Sequence, residues 1–304
     1  MAATMAPSNS TSGNESYPYT TKAQERMPPN HVYDAMLLCV YTAVLLSGVL
    51  GLVPTVRILQ SNSRSLTSIA VLNLIFAHFL FLVTLPFRIY YYAAHNWSLG
   101  PHWCKVVSSM IHIHLYMSFI FYVIILVMRL LSFHRRVTEV AFNRRTHALF
   151  GSLAVWAVVA VALPCLIHFF YGNAAKTPDT TCFKFGMHIH NSNAVVALNY
   201  ATSSVIITVS VALMGLQAHV LLLLYRKYGC SCRGQQVFWA QLKSMCFAGI
   251  MVVCFVPYHI FRLYYIRDTK NYEDVNEIFL SLTTLSCLDM LTFGGKGTCL
   301  WCYN

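Results

Sequence analysis

Long apolar runs separated by short polar segments dominate the sequence, and they restrict the fold more than any other feature. A helix needs about 20 mostly apolar residues to cross the hydrocarbon core of a bilayer. Seven segments meet or approach that length: Asp34–Leu59, Thr67–Ala93, Trp103–Phe133, Ala148–Phe170, Val195–Leu224, Leu242–Ile266 and Val275–Phe293. The pattern predicts an all-α fold, a bundle of seven transmembrane helices.

The composition agrees with a bundle that faces lipid. Hydrophobic residues make up 57% of the 304 residues and charged residues only 10%, whereas a soluble domain has about 25% charged residues. The seventh segment is the least apolar, because it contains Glu277, Asp289 and several hydroxyl groups. We expect a tail over 1–33, a transmembrane domain over 34–293 and a short tail over 294–304.

The distribution of basic residues predicts the orientation. Cytoplasmic segments carry an excess of Lys and Arg, and here the basic segments follow the first, third and fifth apolar runs: Arg57, Arg64, Arg135, Arg136, Arg144, Arg145, Arg226, Lys227 and Arg233. The amino terminus is therefore expected outside the cell and the carboxyl terminus inside, in a multi-pass protein of the plasma membrane. Because topology explains the net charge of +11, nucleic acid is not an expected partner, whereas membrane lipids are.

Glycosylation sequons agree with this orientation. Asn9, Asn14 and Asn96 each begin an Asn-X-Ser/Thr sequence, and all three fall on the predicted outer side. No cleavable signal peptide is recognisable in Met1–Pro29, so the first apolar run is expected to direct its own insertion.

Two cysteines on the outer side are expected to pair. Cys104 begins the third span and Cys182 lies in the loop between the fourth and fifth spans. Both lie in an oxidising compartment, where disulfides form. The alternative is two free thiols.

Two His-Ile-His triplets raise the question of metal binding. Residues two apart on a helix point to different faces, so His112 and His114 are a poor metal clamp. His188 and His190 can bind zinc from an outer loop, although solvated histidines explain them more simply. We therefore predict no metal and no cofactor. The sequence also lacks a nucleophile–base pattern and a phosphate-binding glycine loop, and we do not expect an enzyme.

Several motifs occur in the order and on the helices typical of one receptor family. They are Leu72-Asn73-Leu74, Thr84-Leu85-Pro86-Phe87, Trp97, Cys104, Arg129 placed 25 positions later, Trp156, Cys254 to His259 with Arg262, and Asp289 to Phe293. From about Met36 to Phe293 the chain resembles rhodopsin-like G-protein-coupled receptors, and it is similar to their purine-nucleotide and related orphan branch. The resemblance implies coupling to heterotrimeric G proteins through Arg129, with Phe255 and Pro257 in the switch region.

The chain departs from this family where the family binds a sodium ion. His78 replaces the aspartate that anchors the ion, although Ser118 and Ser286 stand at matching positions. Because a hard cation prefers anionic oxygen ligands, we predict that the sodium site is lost. We also predict a buried hydrogen-bonded pair between His78 and Asp289. The alternative is a neutral core histidine.

Two further departures concern activation. Arg129 is flanked by Met128 and Leu130, so the acid that usually pairs with this arginine is absent. We therefore expect noticeable signalling without ligand. In the seventh span Met290 replaces the family proline, which removes the usual bending point.

The outer half of the bundle offers basic and aromatic side chains for a ligand. The third-helix aspartate of amine receptors is replaced by Ile111. The candidate ligand-binding residues are Arg88, His112, Tyr116, His259 and Arg262. Arginine favours carboxylate and phosphate groups, so the unknown extracellular ligand is expected to be anionic, an acidic lipid or a small carboxylate. Alternatively, some basic residues pair with Glu277 or extend to the lipid headgroups.

Two other classes of protein remain as alternatives. In a membrane transporter or channel, polar residues such as His78, His219 and Asp289 would form a proton path; the sequence has no inverted repeat to support this. The second alternative is a receptor-fold protein that binds partners without G-protein coupling, because its switch motifs are altered.

Overall fold

The computed structural model describes residues 31–61, 66–134, 150–162, 164–165, 182–183, 193–229, 236–269 and 271–294. The chain divides into a unit Met1–His31 and a unit Val32–Asn304, and all described residues except His31 belong to the second. Several predicted features lie outside the described residues: the sequons at Asn9 and Asn14, the arginines of the loop after the third span, the triplet at 188–190 and the tail after Gly294.

The described residues with regular secondary structure are helical, as predicted. The long helices are α1 (His31–Ser61), α2 (Leu66–Ala94), α3 (Pro101–His134), α5 (Asn193–Tyr228) and α6 (Gln236–Tyr265). Between α3 and α5, α4 is described over Phe150–Ala162. After α6, α7 covers Glu273–Thr283, a 3-10 segment covers Thr284–Leu288 and α8 covers Asp289–Gly294. Within the described residues, five helices are long and apolar enough to cross a membrane.

The helix ends differ from the predicted spans mainly at the start of α6. This helix begins at Gln236, six residues before the predicted start at Leu242. Hydropathy detects only the part of a helix that lies in hydrocarbon, whereas the helical hydrogen bonds continue into the polar region. Of the fourth predicted span, Ala148–Phe170, only a part lies within the described residues.

The seventh span is not one continuous helix, in contrast to the prediction. Hydroxyl groups at the start of the 3-10 segment donate to carbonyls three residues earlier, Thr283 to Leu280 at 2.6 Å and Thr284 to Ser281 at 2.6 Å. Such bonds compete with the regular helical pattern and bend helices. The helix type therefore changes at Thr284, although the proline that the family has at the position of Met290 is absent.

α2 and α3 form the buried centre of the bundle. Of the most apolar window in each helix, 61% is buried in α2 and 56% in α3, but only 28% in α1 and in α5. α3 packs against α2, α5, α6 and the 3-10 segment. A side chain on the inner face of α3 therefore has neighbours from several helices.

The outward faces carry large apolar side chains that a soluble protein would bury. Exposed examples are Leu50, Phe150, Leu153, Val158, Val211 and Val253. Extensive exposed apolar surface is typical of a protein that faces lipid or a partner. A polar contact joins α2 to α4: Trp156 of α4 donates a hydrogen bond to the side-chain oxygen of Asn73 of α2 at 2.9 Å.

Gly51 allows α1 to approach α8 closely. A Cβ atom added at Gly51 would lie 2.9 Å from Cβ and 3.3 Å from the carbonyl carbon of Met290, and neither atom belongs to a flexible side-chain end. We expect Gly51→Ala to lower the free energy of unfolding by about 1 kcal/mol or more, because overpacking costs about 1–3 kcal/mol. Thermal unfolding of the purified protein measures the change.

The matched control is Gly151→Ala on α4. An added Cβ there meets nothing within 4 Å, and alanine is the better helix former by up to about 1 kcal/mol. Equal melting temperatures for the two variants would contradict the close contact between Gly51 and Met290.

Candidate functional site

Arg88 of α2 is buried between α1 and α7, beside the ring of Phe183. Its Nη1 donates to Glu277 Oε1 of α7 at 2.7 Å and to Tyr41 Oη of α1 at 3.3 Å. Tyr92 Oη donates to the same Glu277 oxygen at 3.2 Å. The guanidinium also lies over the ring of Phe183, 4.3 Å from its centroid. Among the candidate ligand-binding residues, Arg88 is therefore the one that pairs with Glu277. Its guanidinium group is already bound by protein side chains.

Arg262 of α6 joins three helices. Its Nε and Nη2 each donate to Asn199 Oδ1 of α5 at 3.1 Å, and its Nη1 donates to Asn276 Oδ1 of α7 at 3.3 Å. The guanidinium lies 5.2 Å from the centroid of the Tyr265 ring. These contacts hold the guanidinium plane between α5 and α7 in a fixed orientation.

His259 lies one turn before Arg262 on the same face of α6. Its Nδ1 lies 3.2 Å from Ser203 Oγ of α5. Its Nε2 is buried and has no hydrogen-bond partner among the described residues. Buried polar atoms nearly always have a partner, and each exception calls for an explanation such as a ligand.

The other two predicted ligand residues lie on α3. His112 is half-buried and interacts electrostatically with Arg88, His259 and Arg262. Tyr116, one turn further along α3, packs against the hydrophobic core.

Asp289, at the start of α8, is a fully buried carboxylate with two main contacts. His78 Nε2 of α2 lies 3.2 Å from Oδ1 and 3.4 Å from Oδ2. Tyr122 Oη of α3 donates to Oδ2 at 2.5 Å and lies 3.3 Å from the Ser286 carbonyl oxygen. The predicted contact between His78 and Asp289 is therefore present, and Tyr122 is an additional partner.

The other side of the His78 ring faces a second histidine and a thiol. His78 Nδ1 lies 2.9 Å from His114 Nε2, and Cys287 Sγ lies 3.5 Å and 3.4 Å from these two nitrogens. All three side chains are buried. Ser118 and Ser286 are buried nearby, and their Oγ atoms have no hydrogen-bond partner among the described residues.

Arg129 lies near the carboxyl-terminal end of α3 and contacts α6. Its Nη1 donates to the Ala240 carbonyl oxygen at 3.0 Å, and within the described part of the chain it forms no ion pair. The Arg129 side chain is thus held by a backbone carbonyl, a contact that its sequence neighbours do not indicate.

The remaining predicted residues occupy structural positions. The Cys104–Cys182 disulfide is present, with Cα atoms 5.8 Å apart. Phe255 is buried against the rings of Phe119 and Tyr122, and Pro257 lies inside α6. Asn96 is exposed in the segment between α2 and α3.

The structure adds His114, Tyr122 and Cys287 to the residues expected around His78. His114 and Tyr122 occur in the apolar helix α3 and Cys287 in the 3-10 segment, and each reads as an ordinary core residue in the sequence. The signal that identifies His114 is its helical phase, because it lies four residues before Ser118, which the sequence already placed near the family's ion site. His112, two residues earlier, points elsewhere.

Comparisons with known proteins bear on the class of this chain. The family model for the 7 transmembrane receptor (rhodopsin family) matches residues 51–289. The chain is 38% identical over 270 residues to human probable G-protein coupled receptor 141, covering 86% of this chain and 88% of that protein. It is 30% identical over 233 residues to a human purinoceptor, covering 70% and 61%, respectively. It is 35% identical over 145 residues to C-C chemokine receptor type 3 of Macaca fascicularis, covering 47% and 40%.

The family match covers most of the chain and includes α2 to α7 and Arg129. The relatives are receptors, which confirms the prediction that the chain is not an enzyme. The apolar helices and the family match together establish a multi-pass membrane protein. The chain belongs to the rhodopsin family of seven-transmembrane G-protein-coupled receptors.

Proposed function

We propose that this receptor responds to an extracellular anionic ligand, either a carboxylate-bearing lipid or a small carboxylate, and activates heterotrimeric G proteins. The observation that carries the proposal is the pair His259 and Arg262 on one face of α6. His259 Nε2 is buried without a protein partner among the described residues, and Arg262 presents its guanidinium one turn away. A carboxylate between them accepts hydrogen bonds from both groups.

The contacts of the two arginines favour Arg262 over Arg88 as the ligand-binding group. The carboxylate of Glu277 already accepts a hydrogen bond from Arg88 at 2.7 Å. Arg262 donates to the amide oxygens of Asn199 and Asn276, and these contacts orient a guanidinium group that suits planar anions. His112 adds a third polar group from α3.

The inner end of the bundle supports coupling through Arg129. The hydrogen bond from Arg129 to the Ala240 carbonyl joins α3 to α6, and a hydrogen bond with one charged partner contributes about 1.5–3 kcal/mol. Among the described residues no acid pairs with Arg129, so the contact between α3 and α6 lacks the additional stabilisation of an ion pair. We expect measurable G-protein activation without ligand.

The proposed location is the plasma membrane, with the tail 1–33 outside the cell and 294–304 inside. The exposure of Asn96 next to the disulfide-linked end of α3 supports glycosylation on that side.

The test is guanine-nucleotide exchange on purified G proteins, by membranes that contain the receptor. Without ligand, the rate of guanine-nucleotide exchange is expected to be higher with wild-type membranes than with Arg129→Ala membranes. A screen of acidic lipids, small carboxylates and nucleotides should identify an agonist whose potency falls at least tenfold in Arg262→Ala, because each lost charge-assisted hydrogen bond is worth about 1.5–3 kcal/mol. Nucleotides are included because one relative is a purinoceptor.

Arg267→Ala is the matched control for this screen. Arg267 is exposed, five residues beyond Arg262 in the turn after α6, and its loss should leave agonist potency unchanged. An agonist that retains full potency on Arg262→Ala would contradict the proposed ligand site. Exchange that is equal in wild type and Arg129→Ala, with and without agonist, would favour a receptor-fold protein that does not couple.

A further inference from the structure

We propose that His78, His114 and Cys287 form a buried site for a zinc-class divalent cation between α2, α3 and the 3-10 segment. The site lies deeper than the outer ligand region, and its existence does not depend on the proposed ligand. One nitrogen or sulfur atom from each of the three residues lies within 4.8 Å of the other two. Histidine and cysteine are the preferred ligands of zinc in proteins.

The distances among the three candidate ligand atoms fit a zinc ion. Tetrahedral zinc with bonds of about 2.0–2.1 Å to nitrogen and about 2.3 Å to sulfur separates two nitrogens by about 3.3 Å and a nitrogen from a sulfur by about 3.6 Å. Cys287 Sγ lies 3.5 Å from His78 Nδ1 and 3.4 Å from His114 Nε2. The two nitrogens are 2.9 Å apart, so zinc binding requires them to separate by about 0.4 Å.

The surroundings of His78 are typical of a metal ligand. A metal-bound histidine almost always donates its second N–H group to a carboxylate, carbonyl or water, which fixes the ring and its tautomer. His78 Nε2 is hydrogen-bonded to Asp289 Oδ2 at 3.4 Å, and Tyr122 donates to the same oxygen at 2.5 Å. Nδ1 of His78 is thereby directed toward His114 and Cys287 with its lone pair.

The charges balance when the cation is bound. Binding displaces the proton of the Cys287 thiol to solvent, because the thiolate is the ligand. The hydrogen shared by the two neutral imidazoles moves to His114 Nδ1, which is buried and has no partner among the described residues. The two positive charges of zinc then face the Cys287 thiolate and the Asp289 carboxylate. A neutral cluster avoids the penalty for an unpaired buried charge.

The ligand set selects against hard cations. Sodium, magnesium and calcium prefer oxygen ligands, whereas imidazole and thiolate favour zinc. Three protein ligands leave a fourth tetrahedral position for water. The hydroxyls of Ser118, one turn from His114, and of Ser286, next to Cys287, are buried without partners among the described residues. A metal-bound water supplies the hydrogen-bond partner that such hydroxyls require.

The test is metal binding to the full-length receptor after purification in detergent and treatment with a chelator. Added Zn²⁺ is expected to raise the melting temperature in a saturable manner, because a ligand that binds only the folded state stabilises it. Added Co²⁺ is expected to give a thiolate-to-cobalt charge-transfer absorption. The thermal shift should be lost in His114→Ala and His114→Gln, and the shift and absorption should both be lost in Cys287→Ser. Asp289→Asn should bind Zn²⁺ about 10–100-fold more weakly, as expected when the partner of a ligand is changed.

The controls are His112→Ala, which removes a histidine of α3 that lies outside the cluster, and Cys254→Ala, which removes another buried thiol. Both should keep the Zn²⁺ shift and the Co²⁺ absorption. A double variant of His188 and His190 tests the outer loop, and it should also behave as wild type. The proposal is overturned by a wild-type receptor without the cobalt–thiolate absorption, by His114 variants that keep the shift, or by loss of the shift in the loop variant.

Discussion

Replacement of Glu277 by glutamine is expected to lower the free energy of unfolding of this receptor by about 3–5 kcal/mol, the typical effect of removing one partner of a buried ion pair. Only 1% of the Arg88 side chain and 14% of the Glu277 side chain are exposed. Glutamine keeps the shape and one acceptor oxygen but leaves the guanidinium charge without its counter-charge. Thermal unfolding of purified receptor measures the loss, with surface expression as a second readout.

A double variant separates the loss of charge pairing from other effects. Replacing both Arg88 and Glu277 by methionine removes the two charges together, and apolar replacement of a complete buried pair is often neutral or stabilising. The double variant should therefore be more stable than Glu277→Gln. The aromatic neighbours Tyr41 and Phe183 remain in both proteins and still pack against the site.

The control is Asp34→Asn, which removes the carboxylate of an exposed pair. Asp34 lies 3.3 Å from His95, and the two side chains are 25% and 44% exposed, respectively. Exposed pairs contribute about 0–1 kcal/mol, so this variant should stay close to wild type. If Glu277→Gln were no less stable than Asp34→Asn, the buried pair would not stabilise the bundle.

The fold was largely predictable because a membrane restricts the choice of structure. Every backbone polar group must be satisfied within the chain in hydrocarbon, so apolar length locates helices such as α2 within one residue at each end. Length does not determine how a helix ends in polar surroundings, which explains the early start of α6 at Gln236. It also does not detect the change of helix type at Thr284, which depends on local hydroxyl hydrogen bonds.

The partners of the polar side chains were harder to predict. The sequence placed His78 beside Asp289 through the family resemblance, and the contact is present at 3.2 Å. The sequence could not determine which arginine pairs with Glu277. The pairing depends on how α7 is rotated and packed relative to α2 and α6. The sequence also predicted no metal ligands, since His114 and Cys287 are 173 positions apart and their ring and sulfur orientations follow from packing.

Replacement of Tyr122 by phenylalanine is the second change with a large expected effect. The hydroxyl donates to the buried Asp289 carboxylate at 2.5 Å, and hydrogen bonds to charged groups contribute about 1.5–3 kcal/mol. Phenylalanine keeps the ring that packs against Phe247 and Phe255, so the variant removes one bond between α3 and α8 without a cavity. We expect a loss of about 1.5–3 kcal/mol in the free energy of unfolding of metal-depleted receptor, measured by thermal unfolding.

A control variant shows whether the buried setting of this hydroxyl accounts for the loss. Tyr90→Phe removes an exposed hydroxyl that lies 3.2 Å from Ser98 Oγ, and surface changes of this kind usually stay within about 0.5 kcal/mol. A loss of stability in Tyr90→Phe equal to that in Tyr122→Phe would show that the buried carboxylate has no special part in the effect.

A double-mutant cycle with Asp289→Ala assigns the energy to the bond between Tyr122 and Asp289. Once the carboxylate is absent, the hydroxyl retains only the Ser286 carbonyl at 3.3 Å, so Tyr122→Phe should then cost at least about 1 kcal/mol less than in wild type. Residues in contact typically show such coupling, whereas independent sites add within about 0.3–0.5 kcal/mol. Additive effects would mean that the Tyr122 hydroxyl does not stabilise the receptor through the Asp289 carboxylate. Clear coupling would mean that Tyr122 of α3 and His78 of α2 hold Asp289 together, which fixes the start of α8 relative to both helices.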